Sequence, residues 1–215
     1  MTAVLFVATG AIALADWLAV WKRYFRVEYL LKPLVLVLLI GAVLAADLPV
    51  VKAWVLAALV FGLVGDVVLM FARAESREVD AAFLLGLASF LAGHVCYLAA
   101  FARHGVHTWQ MVAGALVVIG SASLTLPRVL GQVRRVGGPE LMVIVAAYAA
   151  LLGAMAVLAV GTAVILTAIG GLLFLASDTA LAWERFVAYL PHGPVLVAVT
   201  YHLAQLLIVL GLIHR

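Results

Sequence analysis

The chain has 215 residues, of which 68% are hydrophobic and 11% are charged, and its formal net charge is +3. Soluble domains carry about 25% charged residues, so this composition, with a mean hydropathy of +1.27, excludes a domain that folds in water. The basic residues are scattered among loops rather than clustered on one segment, which argues against a nucleic-acid partner. The composition predicts a polytopic membrane protein.

Long apolar runs decide which membrane architecture to expect. Transmembrane strands alternate polar and apolar residues over about ten positions, whereas the apolar runs here are continuous and about twice that length. Because backbone groups in lipid must form hydrogen bonds within their own segment, we predict an all-α protein with a single transmembrane domain over residues 1–215. At about 20 residues per crossing, we expect eight helices in one bundle, over residues 2–20, 30–46, 51–71, 81–101, 109–126, 139–160, 162–183 and 194–213.

The distribution of Lys and Arg predicts how this bundle is oriented. Basic residues are retained on the cytoplasmic side, and ten of the thirteen follow the odd-numbered predicted helices. We therefore expect both termini to face outward from the cell (inner) membrane, with the first segment retained as a span. The ten residues are Lys22, Arg23, Arg26, Lys32, Arg73, Arg77, Arg128, Arg134, Arg135 and Arg185, and the other three are Lys52, Arg103 and Arg215.

Two aspartates inside apolar runs are the strongest indication of function. Asp66 lies within residues 61–71 and Asp178 within residues 173–183, in similar apolar surroundings. An ionisable side chain in hydrocarbon costs about 2.5–3.5 kcal/mol on insertion scales, and such residues usually mark functional sites. Each aspartate is predicted to lie about five residues, or roughly 7 Å, from the cytoplasmic end of its helix. We therefore predict that both face one shared intramembrane site.

Other polar side chains extend from the same depth towards the middle of the membrane. His94 and Tyr97 are three positions apart, so they share one helix face. Tyr201 and Gln205 are four positions apart and do the same. Together these groups predict a cleft that opens to the cytoplasm and is closed at its outer end. The candidate substrate-binding residues are Lys32, His94, Tyr97, Tyr148, Tyr201 and Gln205.

Some residues near this site have a plainer interpretation. Asp16, beside Trp17 near the end of the first span, is expected to snorkel to the membrane interface. Gly62 and Gly65 flank the first aspartate, and such small residues usually serve the close approach of helices in lipid. A lone intramembrane tyrosine such as Tyr148 also commonly forms a hydrogen bond between helices.

Six short sequence pieces follow one another from the second predicted span to the eighth. They are Lys32-Pro33, Gly65-Asp66-x-x-Leu69, His94-x-x-Tyr97, Tyr148, Ser177-Asp178-x-x-Leu181-Ala182 and Tyr201-x-x-Ala204-Gln205-x-Leu207. This ordered set resembles the YhhN/TMEM86 family of integral membrane proteins, which includes lysoplasmalogenases. One position departs from the family pattern, because Glu184 stands where an asparagine is expected before Arg185-Phe186.

The resemblance implies hydrolysis of the vinyl ether bond of lysoplasmalogens, 1-alkenyl glycerophosphocholines or glycerophosphoethanolamines, to a fatty aldehyde and a glycerophospho-alcohol. Asp66 and Asp178 would form the catalytic pair, with one carboxyl group protonated while the other is ionised. Lys32 would hold the substrate phosphate. No cofactor or metal is expected, and the partners would be the lysophospholipid substrate and membrane lipid.

Three other functions stay open at this stage. Asp66, His94, Asp178 and His202 are chemically suited to bind zinc in a metal-dependent lipid hydrolase. Against that, His202 follows Tyr201 directly and so points about 100° away from it on the helix. Buried Asp and His residues also serve proton-coupled transporters, although only Gly170-Gly171 suggests a broken helix. A non-catalytic lipid-binding protein is the remaining alternative.

Overall fold

The structure, a computed structural model, describes residues 1–71 and 79–214, and its regular elements over these ranges are helical. Seven described helices are long and apolar enough to cross a membrane. The predicted all-α polytopic membrane fold is therefore confirmed. The helices are α1 (Thr2–Lys22), α2 (Phe25–Ala45), α3 (Lys52–Leu69), α4 (Ala81–His104), α5 (Thr108–Gly161), α6 (Ile165–Ala182) and α7 (Gly193–Ile213), and a π-helical turn (Trp183–Val187) follows α6. Arg73, Arg77 and Arg215, which contributed to the predicted orientation, lie outside the described residues.

Helix α5 corrects the predicted count of eight separate helices. It is 54 residues long, takes in the fifth and sixth predicted spans, and contains a non-helical residue, Gly138, with φ 75° and ψ −175°. That backbone conformation is essentially restricted to glycine. The two arms lie against each other, because a Cβ on Gly114 would be 3.0 Å from Val160 and one on Gly153 would be 3.0 Å from Val118. Helix α5 is thus a helical hairpin with its bend at Gly138.

Residues 127–137 of the predicted loop are helical for a simple reason. Apolarity locates the part of a helix that lies in lipid, but a helix continues as long as its residues favour helical backbone. Leu130, Gln132, Arg134 and Arg135 are all good helix formers, so the first arm of α5 extends beyond its apolar run. Helix α2 likewise extends beyond its apolar run, because it begins at Phe25 whereas the predicted span begins at residue 30.

The distribution of side chains is that of a protein surrounded by lipid. Large aliphatic residues face outward, as shown by Leu116, Ile119 and Leu124, which are 68%, 64% and 68% exposed. In contrast, Asp16 and Asp66 are only 0% and 1% exposed. Because ionisable groups in membrane helices face the bundle interior, these helices enclose a polar core.

The crossing of α6 and α7 brings the two backbones together at Gly170. A Cβ at this position would lie 2.8 Å from the carbonyl oxygen of Ala204 and 2.9 Å from the backbone nitrogen of Ile208. Helix α6 continues through Gly170 and Gly171 without interruption, so the suggested broken helix is not present. These glycines serve close packing, as is common between helices in lipid.

Gly170→Ala is therefore expected to destabilise the protein by about 1–3 kcal/mol, the usual cost of forcing an extra methyl group into a packed interior. Thermal unfolding of the detergent-solubilised protein measures this effect. Gly120→Ala is the matched control, because a Cβ at Gly120 meets no atom within 4 Å. The control should leave stability unchanged or raise it slightly, since alanine favours helix. Equal stability of the Gly170 variant and the wild type would contradict the packing argument.

Candidate functional site

Asp178, near the end of α6, lies against α4 and the second arm of α5. The Tyr148 hydroxyl donates a hydrogen bond to Asp178 Oδ2 at 2.5 Å. His94 Nε2 lies 3.1 Å from the Tyr148 hydroxyl oxygen and 3.4 Å from the same carboxylate oxygen. The His94 side chain is 1% exposed, whereas that of Asp178 is 12% exposed. The carboxyl group of Asp178 is therefore held by two neighbours and still has one accessible side.

Asp66, near the end of α3, has a different kind of partner. Its Oδ1 lies 3.6 Å from Lys32 Nζ, and the two side chains are 2% and 19% exposed respectively. Its Oδ2 has no hydrogen-bond partner in the part of the chain that the structure describes. The Tyr201 hydroxyl also interacts with this carboxyl group. The two aspartates thus differ in environment, since Asp66 is beside an ammonium group and Asp178 is beside a phenol and an imidazole.

A hydrogen-bonded chain across α4 and α7 lies next to Asp66. The Tyr97 hydroxyl donates to Gln205 Oε1 at 2.5 Å, and Gln205 Nε2 donates to the Tyr201 oxygen at 3.4 Å. Gly62, one turn before Asp66 on α3, leaves the space that these groups occupy. A Cβ on Gly62 would be 3.1 Å from the Tyr201 oxygen and 3.2 Å from Gln205 Nε2. Gly62 therefore shapes the candidate site, whereas the sequence suggested only a packing role.

Phe174 of α6 connects the surroundings of the two aspartates. Its ring centroid lies 4.8 Å from that of His94 and 5.4 Å from that of Tyr201, edge to face in both contacts. His94 belongs to the group around Asp178, and Tyr201 to the group around Asp66. The structure therefore places all eight predicted site residues in one connected set of contacts, in which the Phe174 ring touches both His94 and Tyr201. Their roles in chemistry stay predictions.

Asp16 corrects a sequence-based expectation. It does not snorkel, because it is 0% exposed, and its Oδ2 lies 3.8 Å from His202 Nδ1. The Trp17 indole N–H donates to the same His202 nitrogen at 3.1 Å. The signal for burial was present in the spacing, since Thr9, Ala13 and Asp16 lie along one face of α1, which packs against α7. The neighbouring tryptophan, which suggested an interfacial position, is instead a partner of His202.

The four residues of the metal hypothesis do not come together. His94 and Asp178 are neighbours, Asp66 is paired with Lys32, and His202 contacts Trp17. Within residues 1–71 and 79–214, no three His, Cys, Asp or Glu side chains are grouped so that they could hold a metal ion.

A lipid-exposed helical bundle that encloses two carboxyl groups with different partners defines an integral membrane protein with an intramembrane polar site. The sequence profile described as the YhhN family matches residues 27–212. The chain belongs to the YhhN family, as the sequence resemblance indicated. All eight predicted site residues lie within the matched range, and Asp16 precedes it.

Three curated proteins illustrate the relationship to animal members of the family. The chain is 35% identical over 156 residues to the lysoplasmalogenase TMEM86B of Homo sapiens, and the aligned residues cover 72% of this chain and 61% of that protein. The lysoplasmalogenase TMEM86B of Sus scrofa is 35% identical over 159 residues, with the same two shares. That of Rattus norvegicus is 34% identical over 161 residues, covering 74% of this chain and 61% of the relative. The match thus spans about three fifths of the length of these relatives. No solved structure matches the chain.

Proposed function

We propose that this protein hydrolyses the vinyl ether bond of lysoplasmalogens inside the membrane, with Asp66 and Asp178 as an acid–base pair. The observation that carries this proposal is the pair of carboxyl groups on α3 and α6, joined through one set of aromatic and hydrogen-bonding contacts. Membership of the YhhN family and relatives named as lysoplasmalogenases support the choice of substrate.

Vinyl ether cleavage needs two different carboxyl groups. The bond breaks after a proton is added to its β-carbon, which produces an oxocarbenium ion that water captures, and the resulting hemiacetal collapses to aldehyde and alcohol. One group must supply the proton, and a second must accept a proton from the water. Two carboxyl groups whose environments differ are suited to this division of roles. Asp178, the more accessible of the two side chains, is well placed to activate the water.

The position of Lys32 supports a place for the headgroup. Lys32 lies near the start of α2, while Asp66 and Asp178 lie near the ends of α3 and α6. These positions are at the same end of the bundle, where the charge distribution predicts the cytoplasmic side. The phosphate would bind the accessible ammonium group of Lys32, and the hydrocarbon chain would extend among the apolar helices. His94, Tyr97, Tyr148, Tyr201 and Gln205 would orient the water and the ether oxygen.

Product analysis by mass spectrometry tests this function directly. The purified protein is incubated with three lysophospholipids that share one headgroup and carry an alkenyl, an alkyl or an acyl chain. We expect free fatty aldehyde from the alkenyl lipid and no product from the alkyl lipid, which lacks the double bond that accepts the proton. Release of fatty acid from the acyl lipid without aldehyde from the alkenyl lipid would identify an esterase and reject the proposal.

Tyr148→Phe tests whether the hydrogen bond to Asp178 matters for turnover. The substitution keeps the aromatic ring, which lies 5.4 Å from that of His94, and removes only the hydroxyl group. A hydrogen bond to a charged group is worth about 1.5–3 kcal/mol, so we expect kcat for aldehyde release to fall about 10- to 100-fold. Tyr189→Phe is the matched control, because Tyr189 is 78% exposed and its turnover should equal that of the wild type. Unchanged turnover in the Tyr148 variant would remove this residue from the proposed site.

A further inference from the structure

Lys32 is in contact with Asp66 and is also a partly exposed cation at the candidate site. Its Nζ lies 3.6 Å from Asp66 Oδ1, and its side chain is 19% exposed while that of Asp66 is 2% exposed. A phosphate group can therefore approach Lys32 from the accessible side, whereas Asp66 is enclosed. Because one ammonium group cannot fully pair with both anions, a bound phosphate competes with Asp66 for Lys32.

We propose that phosphate binding by Lys32 releases its ion pair with Asp66, and that Asp66 then takes up a proton and becomes the acid of the site. This inference rests on the proposed function and adds to it a coupling between headgroup recognition and acid formation. It also assigns the two aspartates, with Asp66 as the acid and Asp178 as the base.

The charged neighbours of Asp66 explain why it would not stay ionised alone. Asp178 on α6 is an acidic neighbour of Asp66, and Asp16 on α1 is an acidic neighbour of both Asp66 and Lys32. Glu28 on α2 is a further acidic neighbour of Asp16 and Lys32. Once Lys32 is drawn towards a phosphate, an ionised Asp66 would be a buried charge among acidic groups. Burial of an unpaired charge is so unfavourable that the group is neutralised instead.

The uncharged neighbours cannot replace Lys32 as a counter-ion. His202 Nδ1 accepts the Trp17 indole N–H, so this nitrogen carries a lone pair and the imidazole is neutral. From α7, the Tyr201 hydroxyl supplies a polar contact without charge. From α4, the uncharged ring of Phe90 lies against Gly65 beside Asp66. Proton uptake is therefore the available way to neutralise Asp66.

The proton balance of the cycle is complete without another reactant. Solvent supplies the proton to Asp66 and takes it back when the glycerophospho-alcohol leaves and Lys32 pairs with Asp66 again, and Lys32 keeps all of its own protons. In the reaction, the Asp66 O–H bond breaks as a C–H bond forms at the β-carbon, and Asp178 accepts the proton that the attacking water loses. Collapse of the hemiacetal then moves the Asp178 proton to the departing glycerol oxygen and returns the hemiacetal hydroxyl proton to Asp66. The products are the aldehyde and the glycerophospho-alcohol.

Proton uptake on ligand binding tests the coupling without catalysis. The full-length protein in detergent is titrated in weakly buffered solution containing a pH indicator, with 1-alkyl lysophosphatidylcholine as the ligand. This lipid has no vinyl ether to cleave, and its phosphodiester does not titrate near neutral pH. We expect the wild type to take up about one proton per bound lipid. A 1-alkylglycerol with the same chain and no phosphate should bind without proton uptake, because Lys32 then stays with Asp66.

Matched variants identify the group that receives the proton. Asp66→Asn and Lys32→Gln should each abolish the uptake, and Asp178→Asn should retain it, with lipid binding followed separately by calorimetry. Infrared difference spectra of the wild type should show a new protonated carboxyl band on lipid binding, which Asp66→Asn should lack. If Asp66→Asn does not fold, the wild-type spectra still show whether a carboxyl group is protonated on lipid binding. The Lys32 variant still shows whether proton uptake requires the ammonium group.

Three outcomes would overturn the proposal. They are no proton uptake by the wild type, equal uptake with the phosphate-free ligand, and uptake that persists in Asp66→Asn. Failure of the proposed function is distinguishable, because it appears as the absence of aldehyde from the alkenyl lipid. The alkyl ligand reports proton uptake whatever the outcome of that assay.

Discussion

Replacing either buried aspartate by asparagine should lower aldehyde release by about 10²- to 10⁴-fold, the range attributed to positioned proton transfer. Asparagine has nearly the same size as aspartate and still forms hydrogen bonds, but it can neither supply a proton nor carry the negative charge next to the oxocarbenium ion. Asp66→Asn and Asp178→Asn therefore remove chemistry while disturbing packing as little as the residue types allow.

The comparison needs three measurements on each variant. Turnover is measured from aldehyde formation, binding from the affinity for 1-alkyl lysophosphatidylcholine, and folding from thermal unfolding in detergent. Asp47→Asn is the matched control, because Asp47 is exposed between α2 and α3 and should retain full turnover. The double variant should lose little more than either single variant, since residues that act as a unit are not additive. Full turnover in either single variant would reject the acid–base pair.

The position of each aspartate along its helix was predictable from the sequence, because a carboxyl group in an apolar run is rare and its distance from the helix end can be counted. Asp66 and Asp178 are near the ends of α3 and α6 in the structure, as the spans predicted. The pairing of side chains was not predictable in the same way. Whether Lys32 contacts Asp66 or Asp178 depends on the rotation and crossing of three helices, and helical periodicity describes only one helix at a time.

The environment of Asp16 shows a second limit of sequence reasoning. A polar residue beside a tryptophan near a helix end fits both a position at the membrane interface and a position inside the bundle. The choice between these positions depends on which face of α1 packs against α7. The partner that places Asp16 inside the bundle is His202 on α7, which is 186 residues away in the chain. Helix α5 shows a related limit, because apolarity locates its two crossings but not the helical backbone that continues between them.

Gly62→Val should reduce kcat by about 10²-fold, because a displacement of about 1 Å at catalytic groups can cost that much, and the added methyl groups should also lower stability by about 1–3 kcal/mol. In the structure, a Cβ at Gly62 would lie 3.1 Å from the Tyr201 oxygen, 3.2 Å from Gln205 Nε2 and 3.2 Å from a methyl group of Leu36. Valine adds two further methyl groups to that Cβ. The two polar side chains that accompany Asp66 would therefore have to move.

The kinetic constants separate this positioning effect from a general loss of stability. We expect kcat to fall while the affinity for the alkyl analogue changes little, because the displaced groups lie beside the reacting bond rather than along the hydrocarbon chain. Gly120→Val is the matched control, since it places the same side chain on a transmembrane helix where a Cβ meets no atom within 4 Å. Wild-type kcat in the Gly62 variant would show that Tyr201 and Gln205 do not orient the reactants. A variant that fails to fold, or that loses affinity for the alkyl analogue, would instead assign Gly62 to helix packing, the role that its sequence context first suggested.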